Sequence, residues 1–438
     1  MKICLVGDIF VDITLKTRQH DTKMRLGGIV HAARGLWALG IPYSVGYFAP
    51  AYLDKQINEY LKAFECEEVQ KLGNVIGSPY IFLIQNVKEV FDQGYEFILR
   101  NEIEIEYFLE TIHKLNDESF SDILLFAGNF DLSILLKSIN NKNIHIDVTN
   151  SISHISALQA NMTKMDTIFV STSSILFQEH FNDDFNGFKN KLAPLCNKFI
   201  LKENRGGSRG FNFTSNEYCE ASSQTKPIVH SVGVGDVYNA AFISKYPDLK
   251  MQSSMIFSSW IAAEYASTTY PDDLKINTER ILNSNFKELE NMVGVSLPWE
   301  LRKQINVYIA APDFDFVDTS PIENVVNSLN YHNFSPRRPV KENGQMADDA
   351  NKNRRQELYS KDMIMLDQCQ ILIAVLLYND PGTLIEIGLA SAKGLPTIVY
   401  DPYQIAKNCI LTELPDLVTN DLDYLIAEFF SICSKLQI

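Results

Sequence analysis

The sequence lacks the features that mark a secreted, membrane or nucleic-acid-binding protein. Its seven cysteines are scattered and none forms a CxxC pair, so neither a disulfide framework nor a zinc site is indicated and a reducing cytoplasm is expected. No run of roughly 18 apolar residues occurs, and the first residues alternate like a strand rather than forming a signal sequence. Lysine and arginine number 39 against 54 acidic residues, and the net charge of -15 argues against broad contact with nucleic acid or anionic membranes. A small-molecule ligand is therefore expected.

The pattern of apolar residues predicts an α/β protein of more than one domain. A chain of 438 residues is too long for one ordinary core, and short β-branched runs alternate with helical patterns along it. Two aromatic, alternating stretches, 13–26 and 76–106, break this rhythm and predict an antiparallel flap that acts as a lid. The rhythm restarts at the strand INVYIAAP. We therefore expect one domain over residues 1–285, a linker over 286–303 and a second domain over 304–438.

A glycine-rich turn in the first domain indicates an anion site. The segment HSVGVGDVYNAAFI places Gly233 and Gly235 before a helix whose first turn holds Asp236. Backbone N–H groups of such a turn, together with the helix N-terminus, suit a phosphate. Asp236 could then accept the proton of an attacking hydroxyl, as in phosphoryl transfer. The alternative is an ordinary loop followed by a helix with an acidic first turn.

Three ordered motifs make residues 1–285 resemble the ribokinase-like (PfkB) family of sugar and nucleoside kinases. They are LVGDIFVDI, RLGGIVHAARGLWALG and HSVGVGDVYNAAF, and KENRGGSRGF resembles the family's nucleotide loop. The resemblance implies a three-layer α/β/α domain with a small β lid, ATP and Mg²⁺ as cofactors, and Asp236 as the catalytic base. It further implies substrate contacts at Asp12, Gly27, Gly28 and His31, and nucleotide contacts at Gly233, Gly235, Arg205, Gly206, Gly207 and Gly210.

The resemblance fails at several functional positions. His31 replaces an asparagine, and Ser171 and Ser174 stand where the family carries the asparagine and glutamate that organise magnesium. His230 and Ser231 replace Asp-Thr, and Ala241 replaces a glycine. An active kinase and a domain that binds a nucleoside or nucleotide without transferring phosphate both remain open.

One carboxylate interrupts the apolar helix in DPGTLIEIGLASAKG. Glu386 lies between Ile385 and Ile387. Burying an ionised group on an apolar helix face costs roughly several kcal/mol of folding free energy unless a charged or hydrogen-bonding partner compensates it. It could pair with a lysine or a backbone N–H at the helix edge. Alternatively, Asp380 at the end of the preceding strand and the Pro-Gly turn mark a ligand site, with Glu386 as a nucleophile.

Residues 304–425 resemble the nucleoside 2-deoxyribosyltransferase family and its nucleotide N-glycosidase relatives. The motifs are VYIAAPDF, YSKDMIMLDQCQILIAVL and DPGTLIEIGLASAKGLPTIVY. The resemblance implies a smaller flavodoxin- or Rossmann-like parallel-sheet domain without a required cofactor, and a homo-oligomer. It assigns Glu386 as nucleophile, Tyr308 as the residue that steadies it, Asp362 and Asp380 as active-site acids, and Asn408 as a residue that a neighbouring subunit contributes.

The implied chemistry is a retaining displacement at the anomeric carbon of a nucleoside or nucleotide. Asp380 and Asp362 both remain candidates for the acid that protonates the leaving base. Arg337, Arg338 and Lys341 either hold a substrate phosphate or face solvent.

The leading hypothesis is an enzyme of nucleoside or nucleotide metabolism that cleaves or transfers an N-glycosidic bond. A second hypothesis is a regulatory protein in which a degenerate kinase-like module senses a nucleotide and gates an N-glycosidase. A third is a nucleoside or sugar kinase with an inert appended domain.

Overall fold

The chain forms two compact units in a computed structural model. The N-terminal unit comprises Met1–Glu89 and Gln93–Ser296, and the C-terminal unit comprises Val90–Asp92 and Leu297–Ile438. No helix among the residues that the structure describes has the length and apolar content needed to cross a membrane. The described residues are 2–16, 21–77, 80–94, 96–97, 102–117, 120–140, 142–149, 151–160, 164–182, 184–292, 294–346 and 351–436.

A ten-stranded sheet forms the centre of the N-terminal unit. Its strand order is β14-β13-β12-β11-β10-β9-β1-β4-β5-β8, parallel from β12 to β5 and antiparallel at both edges. The strands of this unit are β1 (Ile3–Asp8), β2 (Val11–Thr14), β3 (Lys23–Leu26), β4 (Tyr43–Ala49), β5 (Glu68–Ile76), β6 (Ile81–Ile84), β7 (Glu96–Phe97), β8 (Glu104–Tyr107), β9 (Asp122–Phe126), β10 (Asn143–Val148), β11 (Met165–Ser171), β12 (Cys196–Lys202), β13 (Ser208–Asn212) and β14 (Glu217–Ala221).

Strand β1 lies inside the large sheet, and its amino-acid sequence is typical of a central strand. All six of its residues are buried, which explains a nearly continuous apolar run in place of alternation.

The described connections between the strands contain short 3₁₀ helices at Ala51–Leu53, Lys114–Asn116, Ile155–Ala160 and Asn204–Gly206. The α-helices are α1 (Val30–Ala38), α2 (Asp54–Ala63), α3 (Leu109–His113), α4 (Leu132–Ser138), α5 (Ile175–His180), α6 (Phe185–Leu192), α7 (Val234–Lys245), α8 (Met251–Ala266), α9 (Pro271–Asn283) and α10 (Phe286–Asn291).

The lid is a separate four-stranded sheet in the order β3-β2-β6-β7. The expectation of an all-antiparallel flap was wrong, because β2 and β6 pair in parallel. Strand β2 follows β1, and β6 follows β5. Because β1 and β5 are both parallel to β4, the chain leaves the large sheet in the same direction each time it continues into the lid. The end of the second predicted lid stretch also departs from the expectation, since β8 joins the large sheet against β5.

The C-terminal unit is built on a five-stranded parallel sheet in the order β16-β15-β17-β18-β19. This arrangement confirms the predicted α/β class of both units, one large and one small. The strands are β15 (Asn306–Ala310), β16 (Ser335–Arg337), β17 (Ile371–Val375), β18 (Thr397–Tyr400) and β19 (Leu417–Thr419). The helices are α11 (Trp299–Arg302), α12 (Ser320–Tyr331), α13 (Pro339–Asn343), α14 (Lys352–Asp367), α15 (Pro381–Ala392), α16 (Cys409–Glu413) and α17 (Leu422–Cys433).

Residues 286–303, the expected linker, hold two short helices. Helix α10 lies in the N-terminal unit, where the buried Leu289 joins the main hydrophobic core. Helix α11 lies in the C-terminal unit and begins with the buried Trp299. The chain therefore changes unit between Ser296 and Leu297 rather than along a polar connection.

Candidate functional site

A cavity of about 930 Å³ opens in the N-terminal unit at the C-terminal ends of the parallel strands. Ligands of open α/β sheets bind at this edge, because the strand ends and the following loops leave a crevice there. The structure brings eight of the predicted residues of this unit to the cavity wall: Asp12, Gly28, His31, Arg205, Gly207, Gly233, Gly235 and Asp236.

Three other predicted glycines, Gly27, Gly206 and Gly210, are not part of that wall. A Cβ on Gly27 would lie 2.2 Å from Asp12 Oδ1, so Gly27 leaves room for that carboxylate. Gly210 lies within β13, where a Cβ would approach Met251 Cε to 2.5 Å. Gly210 thus makes room for methionine side chains of α8, and its assignment as a nucleotide contact stays a prediction.

His31 connects Asp12 to the protein core. Its Nε2 lies 3.3 Å from Asp12 Oδ2 and its Nδ1 lies 2.6 Å from the Tyr265 hydroxyl. Burial lowers the pKa of His31 and raises that of Tyr265, which favours a neutral imidazole that accepts from the tyrosine and donates to Asp12. The histidine thereby orients the carboxylate that lines the cavity.

Asp236 stands in the first turn of α7, immediately after the turn at Gly233, whose φ is +76°. The pKa of Asp236 is raised to about 7, mainly by burial and also by the negative charge of Asp147, while Lys202 opposes the shift. The Lys202 ammonium donates to Asp147 Oδ1 at 3.1 Å. A carboxyl group that titrates near neutrality can exchange a proton with a bound hydroxyl.

Sequence reasoning missed several charged or polar residues of this wall. Asp147 and Lys202 lie at the ends of β10 and β12, so the strand-end rule could have found them. Asp8 ends β1 and accepts hydrogen bonds from the backbone and side-chain nitrogens of Asn129 at 2.8 and 3.0 Å. Burial raises the pKa of Asp8.

The donor set at the cavity does not fit the magnesium ion that the resemblance implies. Ser174 caps α5 by accepting from the Phe177 N–H at 3.3 Å, and Ser171 Oγ lies 2.8 Å from Ser173 Oγ. The described part of the chain contains no group of three His, Cys, Asp or Glu side chains that could hold a metal ion. Asp147, a carboxylate of the same wall, already pairs with Lys202.

His230 is a core residue. Its Nε2 donates to the Thr268 carbonyl at 2.9 Å and its ring packs edge-on against Tyr265, 5.0 Å away between centroids. Burial lowers its pKa to about 4, so the imidazole is neutral at physiological pH.

In the C-terminal unit, Tyr308 and Glu386 come together from two elements. Tyr308 extends from β15 and its hydroxyl donates to Glu386 Oε1, on α15, at 2.7 Å. The pKa of Glu386 is raised to about 7, mainly by burial; the tyrosine hydrogen bond opposes the shift, and the charges of Asp362 and Asp380 add to it. Among the described residues, no lysine, arginine or histidine forms an ion pair with this carboxylate, and its hydrogen-bond partner is Tyr308. The alternative of a structural ion pair at the helix edge is therefore not what the structure contains.

The two candidate acids have different surroundings. Asp380 is the N-cap of α15 and accepts from the Thr383 N–H at 2.7 Å and its hydroxyl at 2.9 Å. Asp362 accepts from Asn343 Nδ2 at 2.8 Å, and burial raises its pKa.

The basic residues after β16 are bound to carboxylates. Arg338 pairs with Asp313 at 2.8 Å and Glu323 at 2.6 Å. Arg337 pairs with Glu342 at 2.7 Å, and Lys341 reaches Asp315 at 3.2 Å. The basic side chains thus have carboxylate partners in this structure, and their assignment as phosphate ligands stays a prediction. Asn408 is exposed and caps α16 by accepting from the Ile410 N–H at 2.9 Å.

Comparison with known proteins finds a family match for the C-terminal unit and a similar fold for the N-terminal unit. Residues 307–419 match the family model described as nucleoside 2-deoxyribosyltransferase. The chain resembles the tetrameric inhibited form of phosphofructokinase-2 from Escherichia coli, with a TM-score of 0.50 and 11% identity, over 64% of this chain and 99% of that one. The C-terminal domain matches the nucleoside 2-deoxyribosyltransferase family, and the N-terminal domain has the ribokinase fold.

Other solved structures resemble the N-terminal domain more weakly. The nucleoside kinase of Methanocaldococcus jannaschii, an archaeal member of the ribokinase family, has 13% identity and a TM-score of 0.44, covering 66% of this chain and 98% of its own. The ribokinase of Thermotoga maritima has 15% identity and a TM-score of 0.45, covering 64% and 99%. None of the curated proteins compared with the chain matches it. The family match of the C-terminal domain and the kinase-type fold of the N-terminal domain together support a role in nucleoside or sugar metabolism.

Proposed function

We propose that the deoxyribosyltransferase-like domain cleaves or transfers the N-glycosidic bond of a nucleoside or nucleotide, with Glu386 as the nucleophile. The observation that carries the proposal is the pair of Tyr308 and Glu386, joined at 2.7 Å and without a recorded cationic partner for the carboxylate among the described residues. A buried acid in this state costs folding free energy, and such groups are characteristic of functional sites. The tyrosine hydroxyl orients one carboxylate oxygen and leaves the other for the sugar.

The proposed reaction has two displacements. A Glu386 oxygen bonds to C1′ of the sugar while the C1′–N bond breaks, and its electron pair moves to the base. Asp362 gives the departing nitrogen a proton, and its raised pKa suits that role. In the second step a water molecule or another base attacks C1′, the bond from C1′ to the Glu386 oxygen breaks, and Glu386 returns to its carboxylate form. Asp362, a carboxylate after the first step, takes the proton that the attacking water or base loses.

The ribokinase-like domain, in this proposal, binds a nucleoside or nucleotide in its cavity. Asp12, oriented by His31, is suited to hold sugar hydroxyls. Asp236 is suited to take the proton of an attacking hydroxyl, which would make the domain a kinase. The serines at 171 and 174 and the poor metal donor set favour binding without phosphoryl transfer, as in a sensing module.

The test is to incubate the full-length protein with mixed nucleosides, deoxynucleotides and ATP–Mg and to follow free base and ADP by chromatography. Base release should persist in Asp236→Ala and vanish in Glu386→Ala. The matched control is Glu357→Ala, which removes an exposed glutamate from α14 of the same domain and should leave base release unchanged.

A second added base distinguishes transfer from hydrolysis, because transfer forms a new nucleoside while hydrolysis forms free sugar. The proposal fails if the wild type releases no base from any substrate or if Glu386→Ala releases base at the wild-type rate. ADP formation that is lost in Asp236→Ala but kept in the other variants would support kinase activity of the N-terminal domain.

A further inference from the structure

Lys202 is a charged residue of the N-terminal cavity to which the proposed reaction gives no role. It ends β12, its side chain is 13% exposed, and its ammonium donates to Asp147 Oδ1 at 3.1 Å. An ammonium group has three N–H donors. The structure records one hydrogen bond from Lys202 to the described residues, which leaves donors for a ligand in the cavity.

The ammonium lies against the first turn of α7. A Cβ placed on Gly235 would lie 3.1 Å from Lys202 Nζ, and both residues line the cavity together with Gly233. A bulkier residue at position 235 would therefore displace the lysine. An anion bound at this wall meets the Lys202 ammonium, whose charge Asp147 partly offsets, and the N–H groups at the start of α7.

The same lysine also bears on metal binding at this wall. Its ammonium donates to Asp147 Oδ1 at 3.1 Å, so a divalent metal at that oxygen would compete with Lys202. The Ser171 hydroxyl contacts the Ser173 hydroxyl, and the Ser174 hydroxyl caps α5. Hydroxyls are poorer magnesium ligands than carboxylates. A fixed cation is thus already built into the wall.

We propose that the N-terminal cavity binds the phosphate of a nucleotide through Lys202 and without a divalent metal ion. The wall also contains apolar side chains, Ile228 and alanines 262, 263 and 266, which offer a surface for the base. The inference rests on the proposed role of this domain in binding a nucleoside or nucleotide, and it adds the charged group that recognises the phosphate.

Calorimetric titration of the full-length protein tests the inference. The probes are ADP, GDP, CDP and UDP, their nucleosides, and inorganic phosphate, each with excess Mg²⁺ or with EDTA. The nucleoside diphosphate that binds should have the same Kd in both buffers within about twofold. Lys202→Met should weaken it about 10- to 100-fold, the loss expected for a charge-assisted hydrogen bond, and should leave nucleoside affinity unchanged.

Lys198→Met is the matched control. Lys198 lies on the same strand and pairs with Asp166 at 2.6 Å, but it is not part of the cavity wall, so nucleotide affinity should not change. Should Lys202→Met misfold with Asp147 left unpaired, the double variant K202M/D147N removes the buried pair as a unit and should bind the diphosphate as weakly.

The inference is overturned by wild-type affinity in Lys202→Met, by a tenfold or larger gain from Mg²⁺, or by inorganic phosphate competing as well as the diphosphate. Nucleosides that bind as tightly as their diphosphates also overturn it but leave the proposed nucleoside-binding role intact. Binding of no probe at all overturns both.

Discussion

Replacing Glu386 by glutamine should stabilise the C-terminal domain at neutral and alkaline pH. Burial raises the pKa of this carboxyl from 4.5 to about 7, so the folded state disfavours its ionised form. Each pKa unit corresponds to about 1.4 kcal/mol, so the difference represents about 3 kcal/mol in the free energy of unfolding. The side chain is partly exposed and its amide can still accept from Tyr308, so we expect a gain of about 1–2 kcal/mol.

The gain must depend on pH in a defined direction. The carboxyl is protonated in both the folded and unfolded states below about pH 4.5, and the ionisation penalty then grows until about pH 7, above which it is constant. Glu386→Gln should therefore exceed the wild type in stability by more at pH 8 than at pH 5.5.

Urea titration followed by tryptophan fluorescence measures this difference. Trp299 is buried and reports on the C-terminal domain, and replacing Trp37 and Trp260 of the N-terminal domain by phenylalanine isolates its signal. Glu357→Gln is the control, because that exposed carboxylate pairs with Arg354 and Lys361 and its pKa is lowered. Equal stabilities of Glu386→Gln and wild type at pH 8, or a gain independent of pH, would refute the reasoning.

Four further predictions concern single side chains. Tyr308→Phe removes the donor that lowers the pKa of Glu386, so the rise of base release with pH should move to higher pH, as a pH–rate profile would reveal. Asp380→Ala removes the N-cap of α15 and should lower the free energy of unfolding by about 1 kcal/mol in urea titrations. Asp236→Asn should stabilise the N-terminal domain more at pH 8 than at pH 5.5 without changing base release. Arg338→Met leaves the buried Asp313 with only the more distant Lys341 and should lower the free energy of unfolding by about 1–2 kcal/mol, while KM for a nucleotide stays unchanged if the arginine binds no phosphate.

The arrangement of Tyr308 and Glu386 was predictable because each lies in a short motif attached to a regular element. The resemblance to the deoxyribosyltransferase family supplied the pairing, and the fold is consistent with it because β15 lies beside β17, the strand that precedes α15. The same logic brought Asp12, His31 and Asp236 to one cavity.

Residues without a motif were not predictable in this way. Arg337 and Arg338 carry a charge pattern that suits phosphate equally well, and only the fold reveals that Arg338 pairs with Asp313, 25 residues away along the chain. Gly210 lies in a glycine-rich stretch like that of a nucleotide loop, yet it packs against methionines of α8. Composition and spacing do not contain this information, because partners in three dimensions are separated by many residues along the chain.

The sequence by itself determined the fold class of both domains and the candidate nucleophile, since apolar periodicity and the residues around strand ends are local properties. Tertiary structure alone decided which charges compensate each other: Lys202 with Asp147, Arg338 with Asp313, and Glu386 with a tyrosine hydroxyl in place of a cation. Electrostatic interactions act through space, so the state of a buried carboxyl depends on distances that no linear pattern specifies.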